Sequence, residues 1–285
     1  MHFARQLLAA ALLLTSTCAW SQQAVEVPSL DRPAGRPVLL PGLWFAPAGD
    51  APMPAIVLMH GCGGAFDARG QLNGRLRDTA ARLNAIGVAA LVTDSLTPRG
   101  EKELCTQRTG TRAVTQLQRR RDALGALQWL AAQPRVDARR LGLMGWSNGG
   151  STVLAASNRQ HREVAAAAVL PALAVAYYPG CAADLARGYE PVAPLLMLLG
   201  EADDWTPAAE CKALAAGQQA VQFEAYPGAY HGFDGDGPVR LRKDVPNGAN
   251  PGRGVHVGGQ PEARAASGQR FEAFVREQFR LGPAR

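Results

Sequence analysis

The chain has 285 residues, 47% of them hydrophobic, so it is long enough to bury one large core. Its net charge of +6 comes from arginines scattered along the sequence, which disfavours a nucleic-acid-binding role. The only dense basic run is Arg119, Arg120 and Arg121, at the start of an apparent helix. We expect this run to form a solvated helix face.

The first predicted element is a signal peptide over residues 1–21. Arg5 precedes an apolar stretch at residues 7–14, and small residues then lead to an A-x-S cleavage site that ends at Ser21. The apolar stretch is too short to span a bilayer, and no later segment reaches the roughly 18 apolar residues that a spanning helix needs. We therefore expect a periplasmic or secreted protein without stable membrane insertion, whose domain occupies residues 22–285.

The cysteines are consistent with export. Cys18 lies in the signal peptide, where lipid attachment is an alternative, but Thr15 stands where a lipoprotein signal has an aliphatic residue. Four cysteines remain of the five, and in an oxidising compartment this even number predicts two disulfides. No C-x-x-C or H-x-x-x-H spacing indicates a metal site. Of the three possible pairings we expect Cys62–Cys105 and Cys181–Cys211, because both pairs fall in predicted loops at one edge of the sheet.

Strand-like and helix-like segments alternate from about residue 36 onward, which predicts an α/β fold with a mostly parallel central sheet and helices on both faces. The predicted strands are 37–45, 55–59, 88–93, 140–144, 173–178, 195–199 and 221–226. The predicted helices are 72–86, 120–132, 149–158, 208–216 and 261–279. Residues 235–259 are rich in Gly, Pro and Asn and show no period, so they are predicted to form a long surface loop, either a lid or a plain excursion.

A G-x-S-x-G motif follows the strand predicted at 140–144. It runs from Gly145 to Gly149 with Ser147 at its centre. Glycine is needed on both sides of the serine because the strand turns so sharply into the helix that a Cβ would clash. The turn exposes Oγ, and the N-terminus of the helix offers N–H groups to a developing negative charge. Ser147 is therefore a candidate nucleophile, with a simple tight turn as the alternative.

Two later loops contain the partners that a serine nucleophile needs. A serine hydroxyl requires a base within hydrogen-bond reach and a carboxylate that orients the base, and in this architecture they follow in the order Ser, Asp, His. Asp203 follows the strand at 195–199, and His231 follows the strand at 221–226. Asp203 is the predicted orienting acid, with the adjacent Asp204 as the alternative. His231 is the predicted base, with a purely packing role as the alternative.

The oxyanion of a tetrahedral intermediate needs two preorganised N–H donors. Asn148, directly after the candidate nucleophile, is expected to supply one from its backbone. The second is expected from Cys62, in the HG-type loop 60–64 that follows the strand at 55–59. A disulfide at Cys62 would stiffen this loop. His60 precedes the loop glycine and is expected to have a structural role.

Together these motifs resemble the dienelactone hydrolase family of α/β-hydrolases, over most of residues 36–280. The more specific marks are the G-x-x-D pattern at Asp203 and the H-G-F sequence that ends at Phe233. The resemblance implies that Ser147 is the nucleophile, Asp203 the orienting acid and His231 the base. Archetypal members of the family use a cysteine as the nucleophile, so this chain is a serine variant.

Other positions concern the substrate. Archetypal members carry a glutamate near the oxyanion loop, where this chain has His60. Arg99 matches a family arginine that holds a substrate carboxylate, whereas Gly235 stands where a second such arginine would be. Trp146 and Trp205 flank the candidate site residues and are expected to wall an acyl pocket, with core packing as the alternative for Trp146.

The sequence therefore predicts an exported serine hydrolase that cleaves carboxylic esters, lactones included, through an acyl-enzyme. No metal or organic cofactor is implied. The expected partner is a small-molecule ester, and the expected state is a monomer, with an oligomer left open. An amidase or acyltransferase that uses the same residues is the alternative enzyme. A non-catalytic binding module with this fold is the alternative outside enzymes.

Overall fold

The computed structural model of the protein describes residues 21–282, so the predicted signal peptide lies outside the described residues except for Ser21, which begins the first strand. One sheet has eight strands: β1 (Ser21–Pro28), β2 (Leu39–Ala46), β3 (Met53–Met59), β4 (Ala89–Thr93), β5 (Val136–Trp146), β6 (Leu173–Tyr177), β7 (Leu195–Gly200) and β8 (Val221–Tyr226). Their spatial order is β1-β2-β4-β3-β5-β6-β7-β8. The pairs β1–β2 and β2–β4 are antiparallel, and the other neighbours in the sheet are parallel.

Helices cover both faces of this sheet. They are α1 (Gly74–Ala85), α2 (Gln116–Ala131), α3 (Asn148–Ser157), α4 (Arg162–Ala165), α5 (Ala182–Arg187), α6 (Ala208–Ala215) and α7 (Pro261–Gln278). Residues of α1 and α7, such as Leu83 and Phe274, pack on one face, and residues of α2, α3 and α6, such as Leu127, pack on the other. Strand β3 alternates between the two, with Val57 on one side and Leu58 on the other. The predicted α/β-hydrolase fold is confirmed.

The segments predicted as strands and helices all form, with ends shifted by a few residues. The sequence interpretation missed β1, α4 and α5, of which the two helices are too short to show a helical period. It is also wrong about part of residues 235–259, where β9 (Arg240–Arg242) pairs antiparallel with β10 (Val255–Val257). Three-residue strands are too short to show alternation of polar and apolar side chains.

The basic run on α2 is not a solvated helix face. Arg119 is 0% exposed and Arg120 is 8% exposed, because this side of α2 packs against neighbouring elements. Arg120 and Arg121 both bond Glu163 on α4, at 2.7 Å, while Arg119 donates to groups beside the candidate nucleophile. The expectation failed because charged side chains in a run are solvent-exposed only when no polar group on a neighbouring element pairs with them.

Both predicted disulfides, Cys62–Cys105 and Cys181–Cys211, are present. Cys211 lies within α6 rather than in a loop. The first bridge joins the loop after β3 to the segment that precedes α2, and the second joins the segment after β6 to α6. Within residues 21–282, none of the helices combines the length and the apolarity that crossing a membrane requires.

Candidate active site

Ser147 occupies the turn between β5 and α3 in a backbone conformation that is strained for any residue except glycine. Its φ is 54° and its ψ is −120°. The flanking glycines are required, as predicted: a Cβ on Gly145 would lie 2.3 Å from the carbonyl oxygen of Gly149, and a Cβ on Gly149 would lie 2.1 Å from that of Met59. The N-terminus of α3 can therefore approach the end of β3 closely. The Ser147 N–H donates to the carbonyl of Tyr177 at 2.9 Å, which anchors the turn to β6.

Ser147, His231 and Asp203 form one chain of hydrogen bonds. Nε2 of His231 lies 2.8 Å from Oγ of Ser147, and Nδ1 of the same ring lies 2.8 Å from Oδ2 of Asp203. His231 is 3% exposed and Asp203 is 5% exposed, so water competes little for these bonds. Ser147 follows the carboxyl end of β5, Asp203 that of β7 and His231 that of β8. The geometry allows the ring to take the proton of Oγ while the carboxylate holds the opposite N–H.

The loop after β7 holds the Asp203 carboxylate in place. Oδ1 accepts the backbone N–H groups of Trp205 at 2.8 Å and Thr206 at 2.9 Å, and Oδ2 accepts the Thr206 hydroxyl at 3.0 Å. Burial by itself raises the pKa of Asp203, but the charge of His231 and the hydrogen bonds outweigh it and hold the pKa below the ordinary value. The group is therefore a carboxylate at neutral pH, as an orienting acid must be.

The adjacent Asp204 has a different partner. Its Oδ1 accepts the backbone N–H of His256 at 2.8 Å, and its Oδ2 lies 2.7 Å from Nδ1 of that ring. His256 belongs to β10, so Asp204 fastens the 235–259 segment to the loop after β7. The sequence left open which of the two aspartates bonds His231. In the structure, Asp203 bonds His231 and Asp204 bonds His256.

Backbone N–H groups next to Ser147 are available to bind an oxyanion. A Cβ placed on Gly61 would lie 3.7 Å from the Cβ of Ser147, so the loop after β3 touches the serine. Within the described chain, the N–H groups of Gly61, Cys62 and Asn148 have no hydrogen-bond partner. The carbonyl of Cys62 accepts the N–H of Leu104 at 2.7 Å, and this bond adds to the disulfide that fixes the loop.

His60 is buried and bonded to backbone on both sides of its ring. Nδ1 lies 2.7 Å from the carbonyl oxygen of Gly61, and Nε2 accepts the N–H of Ser95 at 3.2 Å. These bonds require a neutral ring with its proton on Nδ1. Burial, with the nearby charge of Arg119, holds the pKa of His60 well below its ordinary value. This arrangement agrees with the structural role expected for His60.

Arg99 does not fit the substrate-binding role that the resemblance implied. Its guanidinium bonds Asp31 at 2.9 Å, Asp122 at 2.8 Å and the carbonyl of Ser95 at 2.7 Å. Further bonds to the same two carboxylates occupy its remaining N–H groups. No N–H is left for a substrate carboxylate, because the two aspartates and the Ser95 carbonyl accept them all. Arg99 instead ties the loop after β4 to α2.

The two predicted pocket tryptophans have different environments. Trp146 is 2% exposed, stacks on Tyr177 and donates its Nε1–H to Asp234 at 2.9 Å, so the core-packing alternative holds for it. Trp205 is half-buried, and its ring centroid lies 4.6 Å from that of His231. It also packs against the apolar cluster that includes the Cys62–Cys105 disulfide. Trp205 is therefore placed to wall the space beside the site.

Sequence reasoning missed the polar network behind His231, which is centred on Asp234. The Asp234 carboxylate accepts the Tyr178 hydroxyl at 2.7 Å and lies 2.9 Å from Nε of Arg75. The ring of Tyr178 in turn packs 4.6 Å from the ring of His231. The available signal was the aspartate that directly follows the H-G-F sequence. A charged residue next to a catalytic motif indicates a supporting network.

The 235–259 segment contacts both sides of the site. Near one end, the N–H of Gly258 donates to the carbonyl of His231 at 3.1 Å. In its middle, Asn247 donates to the carbonyl of Gln107 at 2.8 Å and accepts the N–H of Thr109 at 2.9 Å. The segment therefore bridges the His231 loop and the loop that Cys105 ties to residues 60–64. Its role as a lid stays a prediction.

The site offers a hydroxyl, an imidazole, a carboxylate and free backbone N–H groups, which is the set that acyl transfer through a serine requires. Among residues 21–282, the structure brings together no group of three or more His, Cys, Asp or Glu side chains that could hold a metal ion.

Comparisons with known proteins agree with the fold. No curated protein matches the sequence. Among solved structures, a dienelactone hydrolase-like promiscuous phosphotriesterase from metagenomic libraries is similar, with a TM-score of 0.60, 21% identity and coverage of 91% of this chain and 98% of the other. A dienelactone hydrolase from Anabaena variabilis has a TM-score of 0.56, 24% identity and coverage of 74% and 88%. Dipeptidyl peptidase 4 from Porphyromonas gingivalis has a TM-score of 0.60 at 16% identity, and 35% of that chain is covered.

These similarities show a shared fold. The dienelactone hydrolase family profile matches residues 40–270, which is most of the sequence and includes every element that carries a candidate site residue. Because this match covers more than half of the chain and agrees with the motifs and the sheet, the protein belongs to the dienelactone hydrolase family of α/β-hydrolases.

Proposed function

We propose that the protein is an exported serine hydrolase that cleaves carboxylic esters, lactones included, through an acyl-enzyme. The observation that carries this proposal is the Ser147–His231–Asp203 hydrogen-bond chain, with 2.8 Å at both links. A buried carboxylate, an imidazole and a half-buried hydroxyl in this order match the needs of nucleophilic acyl transfer. Membership of a hydrolase family supports the same reaction class.

In the first half of the reaction, Oγ of Ser147 attacks the ester carbonyl carbon while Nε2 of His231 takes the hydroxyl proton. Asp203 keeps Nδ1 protonated and stabilises the imidazolium. The carbonyl oxygen becomes an oxyanion and accepts N–H groups from Asn148 and from the Gly61–Cys62 backbone. When the tetrahedral intermediate collapses, the C–O bond to the alcohol breaks and His231 returns the proton to the leaving oxygen. The acyl group remains on Ser147.

In the second half, a water molecule replaces the alcohol. His231 removes a proton from that water as it attacks the acyl carbon, and a second oxyanion forms at the same N–H groups. Collapse breaks the bond to Oγ, releases the carboxylic acid and returns the proton to Ser147. With a lactone, the alcohol and the acid are parts of one product.

Export is the remaining part of the proposal. It is supported by the N-terminal pattern of Arg5, the apolar residues 7–14 and the small residues up to Ser21, and by two disulfides in the described chain. We expect N-terminal sequencing of material from the periplasm or medium to begin directly after Ser21. Full-length protein retained in the cytoplasm would contradict it.

The decisive experiment combines an activity assay with an active-site label. The mature protein is assayed on p-nitrophenyl esters of increasing acyl length, on a γ-lactone and on an aminoacyl p-nitroanilide, and is treated with a fluorophosphonate. We expect ester hydrolysis and a single labelled residue, Ser147. Ser147→Ala should abolish both, with the free energy of unfolding changed by at most about 1 kcal/mol, because the hydroxyl adds little to the fold.

Ser157→Ala is the matched control, since Ser157 is the last residue of α3, the helix that directly follows Ser147, but bonds Tyr189 and the carbonyl of Val153. It should keep the label. Faster turnover of the anilide than of any ester would favour the amidase alternative, and accumulation of a transesterified product in the presence of an alcohol would favour the acyltransferase. An unlabelled, inactive wild type would support the binding module instead.

A further inference from the structure

Arg119 lies between the two groups that supply the proposed oxyanion-binding N–H donors. One terminal nitrogen donates to the carbonyl oxygen of His60 at 2.7 Å, and the other donates to the side-chain oxygen of Asn148. Arg119 is 0% exposed, so these bonds form in a site from which water is excluded. The guanidinium therefore bridges the loop after β3 and the first residue of α3.

The first of these bonds acts on an oxyanion donor directly. The carbonyl of His60 and the N–H of Gly61 belong to one peptide group, so a cation on the carbonyl oxygen increases the positive charge of that N–H. The His60 ring does the same to the next peptide group, because Nδ1 donates to the carbonyl of Gly61 at 2.7 Å and thereby polarises the N–H of Cys62. The Gly61 and Cys62 N–H groups are thus each polarised by a hydrogen bond to the carbonyl oxygen of their own peptide group.

The charge of Arg119 is unusual for a buried arginine. Among the described residues, no carboxylate pairs with it directly, and its Nε has no partner. Burial lowers its pKa more than the charges of Asp122 and Asp94 raise it, and the net pKa of about 10 leaves the group a cation at neutral pH. A buried cation bonded only to neutral oxygens is costly, and stability alone does not account for it.

We propose that Arg119 is a positioning residue of the oxyanion site: it polarises the Gly61 N–H through the His60 carbonyl, and it fixes Asn148 through the side-chain oxygen of that residue. Its charge, which no carboxylate bonds directly, favours negative charge on the substrate oxygen. This inference rests on the proposed serine hydrolase mechanism. The oxyanion exists only in the intermediate and the flanking transition states, so the effect of Arg119 is confined to these states.

The neighbouring Arg120 provides a matched control. It is 8% exposed and lies on the same helix, but its guanidinium bonds Glu163 at 2.7 Å and His161 at 3.1 Å, away from Ser147. Arg119→Met and Arg120→Met remove the same charge from adjacent positions. Arg119→Lys keeps the charge but loses the forked geometry that reaches both acceptors.

The test compares rate, substrate affinity and affinity for a trifluoromethyl ketone. Addition of Oγ of Ser147 to this ketone gives a stable tetrahedral oxyanion, with the serine proton on His231. For Arg119→Met we expect kcat to fall about 10²-fold, as for loss of one oxyanion donor, with KM changed less than threefold. The ketone inhibition constant should rise by the same factor as kcat falls. Arg119→Lys should fall between wild type and Arg119→Met, and Arg120→Met should keep the wild-type kcat and inhibition constant.

Thermal unfolding of each variant separates a folding defect from a positioning defect. Should Arg119→Met fail to fold, Asn148→Ala gives the second test, because it removes one acceptor of Arg119 and keeps the backbone N–H. For this variant we expect a fall of about threefold in kcat with a matching rise in the ketone inhibition constant. The inference is overturned if the folded variants lose ketone affinity no more than Arg120→Met does, while wild type remains active and labelled at Ser147. An inactive wild type would instead overturn the proposed function itself.

Discussion

The two halves of the candidate site are held in different ways. The acid–base half, Asp203 and His231, lies in loops after β7 and β8 and is positioned by hydrogen bonds, among them the N–H groups of Trp205 and Thr206 on Asp203. The oxyanion half, residues 60–64 with Asn148, is held by a disulfide and a buried guanidinium. The half in which His231 gains and loses a proton is thus held by hydrogen bonds, which can adjust when the charge of the ring changes. Groups that must stay fixed while charge develops are held by a covalent bond and a cation.

The largest effect should come from substituting the two adjacent aspartates one at a time and comparing the two variants. Asp203→Asn should lower kcat about 10⁴-fold, because an amide no longer requires a proton on Nδ1 of His231 and cannot stabilise the imidazolium. Asp204→Asn should change kcat by less than tenfold, since Asp204 bonds His256 instead. Steady-state kinetics on one ester measure both. Equal losses in the two variants would contradict the assignment of the acid–base half.

The dependence on pH should come from the acid–base half alone. The pKa of Asp203 is held below its ordinary value, and Arg119, with a pKa of about 10, stays charged, so neither changes charge between about pH 5 and 8. A lone pair on Nε2 of His231 accepts the serine proton in the proposed mechanism, so the reaction requires the unprotonated ring. We expect kcat/KM to fall tenfold per pH unit at the acid end, with a limiting slope of one. A slope of two above pH 5 would show a second ionisation and contradict this view.

Removing the two disulfides separately tests the covalent part of the comparison. They close loops of 43 and 30 residues, so on the chain-entropy estimate each stabilises the fold by at most about 4 kcal/mol. The paired change Cys62→Ala with Cys105→Ala should also lower kcat about tenfold, because a looser loop misplaces its N–H groups. Cys181→Ala with Cys211→Ala should destabilise similarly with a smaller rate loss, near the Asp203 loop. Denaturant unfolding gives the stability of each double variant, and steady-state kinetics give the loss in kcat that is compared between the two.

The smallest effect concerns Trp205, which touches both halves: it packs beside His231 and against the Cys62–Cys105 cluster. Trp205→Ala should lower kcat/KM several-fold to about tenfold, and more for esters with long acyl groups, because the wall beside the site is lost. Trp205→Phe should recover most of this. Trp129→Ala is the control, since Trp129 on α2 packs against Trp44 on β2. A loss that is the same for all acyl lengths would argue against Trp205 as a wall.

The sequence was sufficient for the acid–base half because strand ends can be read from apolar runs. In a parallel sheet, residues just past the carboxyl ends of neighbouring strands converge. The sequence alone therefore predicts that Ser147, Asp203 and His231 lie close together. The glycine requirement at the elbow and both disulfide pairings followed from local rules of the same kind. The order of the motifs along the chain carried most of this information.

The oxyanion half was less predictable because its support comes from distant side chains. Arg119 lies in a run of three arginines that is typical of a solvated helix face, and nothing local indicates that one of them is buried against His60 and Asn148. The prediction for Arg99 failed in the opposite direction. The motif match predicted a guanidinium that is free to bind a substrate carboxylate, but Asp31 and Asp122 bind this guanidinium instead. Tertiary partners of charged side chains depend on packing, which periodicity does not encode.

The parallel order of the sheet has a consequence for how the protein acquires activity. The candidate residues follow β3, β5, β7 and β8, and these strands pair only through crossovers that are distant in sequence. Contacts of this kind form late, because a large part of the chain must be ordered before any of them is gained. Ser147 and His231 lie 84 residues apart in the sequence, and β6 and β7 separate β5 from β8 in the sheet. We therefore expect the contact between Ser147 and His231 to be among the last that the nascent chain forms.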